Sequence, residues 1–217
     1  MIRNFKYTLS FAILLIWGCS NLKYLPEGDA LYVGGKVKVE DSLLSKKERK
    51  NLEAELQPLL RPKPNRKILG MRLKLYAYNI AGEPKKEKGF RYWLRNKVGE
   101  PPVLFSQVDM AYNESILQNH AENKGFFKVR TESDSTGTSN NRKVTANYVV
   151  RPGRQYKIKS VSFPSDSSDL SKSIARLARR SRLKVGEAYD LDKIKEERER
   201  IDTRLKEKGY FFFDPDF

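Results

Sequence analysis

Residues 96–100, NKVGE, return almost unchanged at residues 183–187, LKVGE, and this pair decides how the chain is divided. Each copy is followed by a polar stretch that ends in Lys-Gly and a run of aromatic side chains. These stretches are NHAENKGFFKVR at 119–130 and TRLKEKGYFFFD at 203–214. Self-similarity at this spacing indicates two copies of one supersecondary unit, arranged in tandem.

The polar stretch in each copy is predicted to form a helix with a defined start and end. Ser106 is the predicted N-cap of the first helix, with Asp109 in its first turn, and Asp190 is the predicted N-cap of the second. Gly125 and Gly209 stand where helices commonly end on a left-handed residue, a conformation that glycine adopts without a steric penalty.

Strands are predicted on both sides of these helices because aromatic and β-branched residues alternate there. The aromatic runs at 126–131 and 210–213 are the predicted strands that follow the helices, and 143–150 completes a hairpin with the first of them. The opening strands are predicted at 36–40 in the first unit and at 156–164 in the second.

One more helix is predicted in each unit, directly after its opening strand. The first spans 45–60, and Ser45 and Glu48 form a capping box at its start. The second spans 169–183 and has an amphipathic apolar stripe. YVGGKV at 32–37 is predicted to be a tight Gly-Gly hairpin turn. The order predicts an α+β fold of two β-α-α-β-β modules, the second of them incomplete.

The first module is expected to span 29–152, with an insertion at about 61–96, and the second to span 154–217. The insertion region is strongly basic, since residues 61–97 hold twelve lysines and arginines against two glutamates. Aromatic residues are interleaved with these cations, a composition that suits a membrane interface. The candidate membrane-surface patch comprises Arg66, Lys67, Lys85, Lys86, Lys88, Arg91, Tyr92 and Trp93. The alternative is a solvated loop whose aromatics pack on their own domain.

The N-terminus has the layout of a secretory signal, with a short basic start and then an apolar run. The uncharged window at 7–22 is shorter than the roughly 20 residues that a spanning helix needs. Cys19, the only cysteine, follows this run and is the predicted lipidation site. We therefore expect a lipoprotein signal peptide at 1–18 and a lipidated linker at 19–28, although the bulky Trp17 departs from the usual cleavage box.

Three further motifs carry a resemblance to a known family. They are RPKPN at 61–65, ILGMRLKLYAYN at 68–79 and GEPP at 99–102. With the tandem repeat and the signal, the chain resembles the POTRA region of the BamA/TamA superfamily of outer-membrane assembly proteins, and most closely its lipoprotein form, TamL. The resemblance implies an outer-membrane lipoprotein, palmitate on Cys19, and domains that face the periplasm. It also implies unfolded outer-membrane protein clients, a TamB-like periplasmic partner and a C-terminal β-barrel in the full-length protein.

Modules of this kind expose a strand edge that can accept an extended segment of another chain by β-augmentation. By resemblance, the receiving edge is the strand after the Lys-Gly motif: Phe126, Phe127, Lys128, Val129, Arg130 and Thr131. The alternative for the side chains is that these aromatics belong to the core, because alternate strand residues must face the helices.

Composition argues against several other functions. His120 is the only histidine, so a histidine metal cluster or a His-paired nucleophile is not expected, and the chain is not expected to be an enzyme. No cofactor is expected apart from the covalent lipid. A basic patch can indicate nucleic-acid binding, but an export signal argues against that partner. The remaining alternative is a stand-alone envelope lipoprotein that binds a ligand or a cell-wall component.

The ending YFFFDPDF and the lack of barrel-like strands predict that the chain is a fragment without the barrel.

Overall fold

The computed structural model describes residues 21–138 and 140–214. Cys19 and the predicted signal peptide lie outside the described residues. Short 3-10 turns occur at Asn21–Tyr24, Gln57–Leu59 and Phe105–Gln107, and a π-helix at Leu94–Val98. The helices are α1 (Lys46–Leu56), α2 (Leu73–Ala81), α3 (Phe90–Trp93), α4 (Met110–Asn123), α5 (Asp169–Ala178) and α6 (Leu191–Lys206), and the strands are β1 (Leu31–Val39), β2 (Arg130–Thr138) and β3 (Lys143–Arg151).

The three strands form one mixed sheet in the order β1-β3-β2. β2 and β3 are joined by a short connection and are therefore antiparallel. β1 and β3 are parallel, because Leu31 N–H donates to Arg142 O and, further along both strands, Glu40 N–H donates to Val150 O, each at 2.9 Å. The predicted α+β class is confirmed, and so is the predicted hairpin partner at 143–150.

The Gly-Gly pair lies inside β1, so the predicted hairpin turn at 32–37 is wrong. Between the two hydrogen bonds to β3, β1 advances nine residues and β3 advances eight. One extra residue on one strand is the count of a β-bulge. Gly34 has φ 129°, a backbone conformation that favours glycine, which places the bulge at the glycine pair.

Gly35 is required for a second reason, the close packing over its Cα. A Cβ at this position would clash with Leu60 Cδ1. It would also lie 3.0 Å from the Tyr32 hydroxyl oxygen and 3.3 Å from a ring carbon of Tyr148. Both tyrosines and Leu60 are buried. The strand therefore needs two adjacent glycines, one for the bulge and one for the packing.

The described residues divide into two compact units that do not follow chain order. Unit 1 comprises the residues up to 37 together with 57–113 and 133–148, and unit 2 comprises 38–56, 114–132 and 149 onward. The predicted module boundaries, 29–152 and 154–217, stay a prediction. In unit 1, Leu25, Leu31 and Leu75 form a buried cluster, with Leu22, Val33 and Leu104 packed against it.

In unit 2, α5 and α6 pack through apolar stripes. Ile174 of α5 and Ile201 and Leu205 of α6 are buried together, and Leu170 and Leu177 pack against them. The predicted stripe of α5 is confirmed, but the helix ends at Ala178 rather than at residue 183. Both stripes follow the three- and four-residue spacing that keeps side chains on one helical face.

Most of the predicted helix ends are confirmed. Glu48 N–H donates to Ser45 Oγ at 3.3 Å and Ser45 N–H to Glu48 Oε2 at 2.8 Å, which makes the predicted capping box. Asp190 caps α6 by accepting from Asp192 N–H at 3.0 Å. The cap of α4 is Asp109, which accepts from Tyr112 N–H at 2.8 Å, so the predicted cap at Ser106 is wrong. Ser106 Oγ donates instead to Asp29 Oδ2, at 2.5 Å.

The two Lys-Gly motifs end their helices in the same way. Gly125 and Gly209 have φ values of 87° and 96°. The next residue in each case, Phe126 or Tyr210, donates its N–H to a carbonyl five residues back, Ala121 O or Leu205 O. This pairing is a Schellman C-cap, and it confirms the predicted role of both glycines.

The strand predicted after the second cap, at 210–213, is wrong, and the one predicted after the first cap is wrong for residues 126–129. Val129 N–H donates to Phe126 O at 3.1 Å, and Phe213 N–H donates to Tyr210 O at 3.2 Å, so each aromatic run closes a turn. A chain leaving a Schellman cap must change direction, and here it uses the aromatic run to do so. β2 begins only at Arg130.

Two more elements are shorter than predicted. The strand expected at 156–164 is reduced to an isolated bridge between Lys157 and Ala188, flanked by Ile158 N–H donating to Glu187 O at 2.8 Å. The helix expected at 45–60 ends at Leu56, and a 3-10 turn follows. Pro58 lies in that turn, where it lacks the N–H that a continuing helix would need.

Gly35→Ala tests the close packing inside β1. We expect the substitution to lower the free energy of unfolding by about 1–3 kcal/mol, because the added methyl overpacks a buried site. Denaturant unfolding measures the effect. Lys36→Ala, at the exposed neighbouring position, is the control and should change stability little. Equal stability of the two variants would contradict the packing argument.

The pH dependence of stability tests the internal ion pair between Glu197 and Arg200. The buried carboxylate of Glu197 is bound by Arg200 at 2.8 Å, and although burial raises the pKa of Glu197, hydrogen bonds from Arg200, Ser181 and Arg182 lower it below its ordinary value. A lowered pKa contributes stability above the unfolded pKa that is lost as pH falls through the folded pKa. Glu197→Gln should therefore be less stable than the natural chain near neutral pH, by about 1.5–3 kcal/mol.

The difference should shrink as the pH falls below the ordinary glutamate pKa of about 4.3 and then through the lower folded-state pKa of Glu197, where the carboxylate of the natural chain also takes up a proton. Denaturant titrations across this range measure it. A stability difference that stays constant with pH would contradict the ion-pair interpretation.

Candidate functional site

The outer edge of β1, the edge away from β3, is already occupied. In its first half, Tyr32 N–H donates to Val103 O at 2.9 Å, and Phe105 N–H donates to Ala30 O at 2.8 Å. Leu104, between these residues, forms an antiparallel bridge with Leu31. The segment around residue 104 thus pairs with β1 as an additional strand would.

Side chains occupy the second half of the same edge. Gln57 Oε1 accepts from Val37 N–H at 3.0 Å, and Gln57 Nε2 donates to Gly35 O at 2.9 Å. Glu53 Oε1 accepts from Val39 N–H at 2.9 Å. Long polar side chains thereby take the place of a neighbouring strand, and an incoming chain would have to displace them.

β2 is the other edge of the sheet, and its register can be derived. The carbonyls of Arg142 and Val150 face β1, so the even-numbered residues of β3 face β1 and the odd-numbered ones face β2. Asn147 lies opposite Asp134, and its Nδ2 donates to Asp134 Oδ1 at 2.8 Å. The even-numbered residues of β2 therefore pair with β3, while the odd-numbered ones, such as Ser135, direct their backbone groups away from the sheet.

The predicted receiving edge is only partly on this strand. Arg130 and Thr131 lie in β2, whereas residues 126–129 form the turn before it. Phe126 is buried, as the core alternative requires. Phe127 is 48% exposed and its ring makes edge contacts with Tyr156 and Tyr189, at centroid distances of 5.3 and 5.0 Å. Of the predicted six, Phe126, Phe127, Lys128 and Val129 are therefore not strand residues.

Two buried asparagines fix the RPKPN motif. Asn113 Oδ1 accepts from Arg61 N–H at 2.8 Å, and its Nδ2 donates to Arg61 O at 2.6 Å and to Tyr148 Oη at 3.0 Å. Asn113 is fully buried, so these bonds replace water for both polar groups of the Arg61 backbone.

Asn65, at the end of the motif, binds the GEPP segment. Its Nδ2 donates to Glu100 Oε1 at 2.9 Å and to Pro101 O at 2.7 Å, and its Oδ1 accepts from Val103 N–H at 2.9 Å. Two of the three segments that carry the family resemblance, RPKPN and GEPP, are thus joined by one buried side chain. Reasoning from the sequence missed the structural role of both asparagines, because nothing local distinguishes them from exposed ones.

The predicted basic–aromatic patch lies on two separate stretches of unit 1. Lys85, Lys86, Lys88 and Arg91 are exposed. Trp93 is 51% exposed and stacks at 5.9 Å, between ring centroids, on the more exposed Phe90. Tyr92 is half-buried, and the exposed Arg66 and Lys67 precede a turn at residues 68–71.

The turn of π-helix after Trp93 is held by Arg95. Its guanidinium lies 4.0 Å from the centroid of the Tyr78 ring, donates to Tyr78 Oη at 2.8 Å and to Gly82 O at 2.9 Å. A Cβ on Gly99 would lie 2.8 Å from Tyr78 Cα, so this glycine lets the segment pack directly on α2.

The described part of the chain contains no group of three or more His, Cys, Asp or Glu side chains that could hold a metal. No helix among the described residues is long and apolar enough to cross a membrane.

Comparison with known proteins gives one family match. The POTRA family, described as a surface antigen variable number repeat, matches residues 156–215. A solved structure, Haemophilus influenzae BamA POTRA3-5, aligns with 86% of this chain and 89% of its own length, with 14% sequence identity and a TM-score of 0.27. No curated protein matches the sequence.

Asn113→Ala tests the buried amide that holds Arg61. The variant leaves the N–H and C=O of Arg61 without their partner, and we expect it to lower the free energy of unfolding by about 2–4 kcal/mol. Asn119→Ala, on the same helix, is the matched control, since residue 119 is exposed. Denaturant unfolding compares the two. A loss at Asn113 no greater than at Asn119 would contradict this assignment.

Proposed function

We propose that the chain is the periplasmic, POTRA-containing portion of an outer-membrane protein assembly factor, and that it binds extended segments of client chains on the outer edge of β2. The observation that carries this proposal is the contrast between the two sheet edges. The outer edge of β1 is filled by Val103, Phe105, Gln57 and Glu53, whereas β2 is the last strand of the sheet on its side.

β-Augmentation suits a receptor for many different clients. The added strand is held by backbone hydrogen bonds, which form with almost any sequence except proline. β2 is also a polar strand, RTESDSTGT, and its side chains are mostly exposed. Because there are few apolar side chains to match, affinity on this edge would depend on the backbone rather than on the client's side chains.

The POTRA match supports a binding module of an assembly protein rather than an enzyme. Beyond this, we propose the lipoprotein form TamL, with a lipid on Cys19 that anchors the chain in the outer membrane and leaves its domains facing the periplasm. The partners would be unfolded outer-membrane proteins, a TamB-like periplasmic protein and the β-barrel of the full-length protein. The basic–aromatic patch would lie near anionic lipid head groups, held there by the lipid.

The proposed edge is limited to residues of β2. Arg130 and Thr131 remain candidates from the original six, and the strand continues beyond them to Thr138. Ser135 is the best position for a test. Its backbone N–H points away from β3, so a proline there removes an outward donor without removing a hydrogen bond of the sheet.

Ser135→Pro is expected to weaken binding of an extended client peptide by about tenfold, since each lost backbone bond costs about 0.5–1.5 kcal/mol and the ring also blocks the approach. The client probe is a synthetic peptide from the C-terminal strand of an outer-membrane protein, measured by fluorescence anisotropy. Ser135→Ala keeps the N–H and should bind as the natural chain does. Unchanged binding by a folded Ser135→Pro variant would overturn the proposed edge.

A further inference from the structure

A tight turn at Ile68–Met71 projects from unit 1 directly before α2. Ile68 N–H donates to Met71 O at 2.8 Å, and Met71 N–H donates to Ile68 O at 3.0 Å, so Leu69 and Gly70 alone form the connection. Both have positive φ, 49° and 80°. A two-residue connection with positive φ at both positions is a type I′ turn.

Leucine is a poor choice for this turn. Type I′ turns favour Asn-Gly because asparagine tolerates the left-handed region, whereas a larger side chain is strained there. Leu69 is nevertheless 91% exposed, so no packing contact compensates for the strain. A strained, solvent-exposed apolar residue at the tip of a turn points to a role outside the chain's own fold.

Other apolar side chains surround the tip. Ile68, Met71 and Leu73 are each more than a third exposed, which makes a small apolar projection with Leu69 at its end. The projection is convex, as expected of an element that enters a soft phase, whereas a ligand site would be concave. Clustered exposed apolar groups on a soluble surface mark an interaction site.

Along the chain, the charged residues on both sides of the turn are all of one sign. Residues 61–82 contain six lysines and arginines and no acidic residue. Arg66 and Lys67, immediately before the turn, are exposed. An apolar tip with a cationic collar matches the two layers of an anionic bilayer surface, hydrocarbon beneath negative head groups.

We propose that the Ile68–Met71 turn inserts Leu69 into the interface of an anionic membrane, while Arg66 and Lys67 bind the head groups. The inference rests on the proposed placement of the chain at a membrane and is independent of the β2 edge. The inference also gives the parts of the predicted basic–aromatic patch different roles. The turn supplies the apolar group that inserts, whereas Lys85, Lys86 and Lys88 would add only electrostatic attraction.

The test uses the full chain with an environment-sensitive fluorophore on Met71→Cys, in a Cys19→Ser background that leaves one thiol. On adding vesicles of phosphatidylglycerol and phosphatidylethanolamine, the emission should shift to shorter wavelength and be quenched by spin-labelled lipid. Vesicles of phosphatidylcholine should give a much smaller change. The same label on Leu43→Cys is the control, because Leu43 is also well exposed, at 69%, but lies in unit 2.

Leu69→Asn separates membrane contact from folding. Asn-Gly fits the turn better than Leu-Gly, so thermal stability should stay the same or rise. The vesicle-induced shift should need about tenfold more lipid, since a large apolar side chain no longer leaves water. Leu43→Asn, the matched control, should leave the response of the Met71→Cys label unchanged. Neutralising Lys85, Lys86 and Lys88 together should weaken the response in a salt-dependent way without abolishing it.

Three outcomes would overturn the inference. They are no vesicle response at Met71→Cys, an equal response in the Leu69→Asn variant, and a shift that appears without lipid as protein concentration rises, which would assign the tip to a second copy of the chain. Client-peptide binding by the Leu69→Asn variant should be normal, and the Ser135→Pro variant should keep its vesicle response. A failure of either proposal is thus seen separately from a failure of the other.

Discussion

The hydrogen-bonding capacity of β1 is the constraint on which the sheet depends. A strand with β3 on one side presents N–H and C=O groups on its other side, and here the chain itself pairs those of β1 through Val103, Gln57 and Glu53. The bulge at Gly34 and Gly35 makes this possible, because it reverses which residues of β1 face outward between its two halves. With β1 closed in this way, β2, the last strand on the other side, is the edge to which we assign client binding.

The repeated motif shows that one short sequence can serve two structural purposes. In the first copy, Gly99 has φ −71° and is needed because Tyr78 lies against it. In the second copy, Gly186 has φ 87° and nothing lies within 4 Å of a Cβ built there. The Lys-Gly motifs, in contrast, have the same geometry in both copies, since Gly125 and Gly209 both end a helix in a Schellman cap.

Local signals in the sequence predicted local structure well. The capping box at Ser45, the cap at Asp190 and the C-caps at Gly125 and Gly209 each depend on a few neighbouring residues. The aromatic runs after those glycines failed as strands because alternation alone does not show that a cap has turned the chain. The roles of Asn113 and Asn65 were not predictable, since each binds backbone groups more than 30 residues away. The candidate site was predicted only in part for the same reason. The outer edge of β1 is occupied by segments that are distant in sequence, and no local pattern shows this.

The two buried asparagines also explain how an apolar tip can be presented on an otherwise polar surface. Asn65 fixes the chain three residues before the turn, and Leu75 buries α2 in the unit 1 cluster four residues after it. The Ile68–Met71 turn is therefore held at both ends and has little freedom to fold its apolar side chains back onto unit 1. Rigid supports of this kind reduce the entropy that is lost on binding. A leucine that is strained by its own backbone and held away from the core contributes little to folding, and its placement is best explained by what it contacts outside the chain.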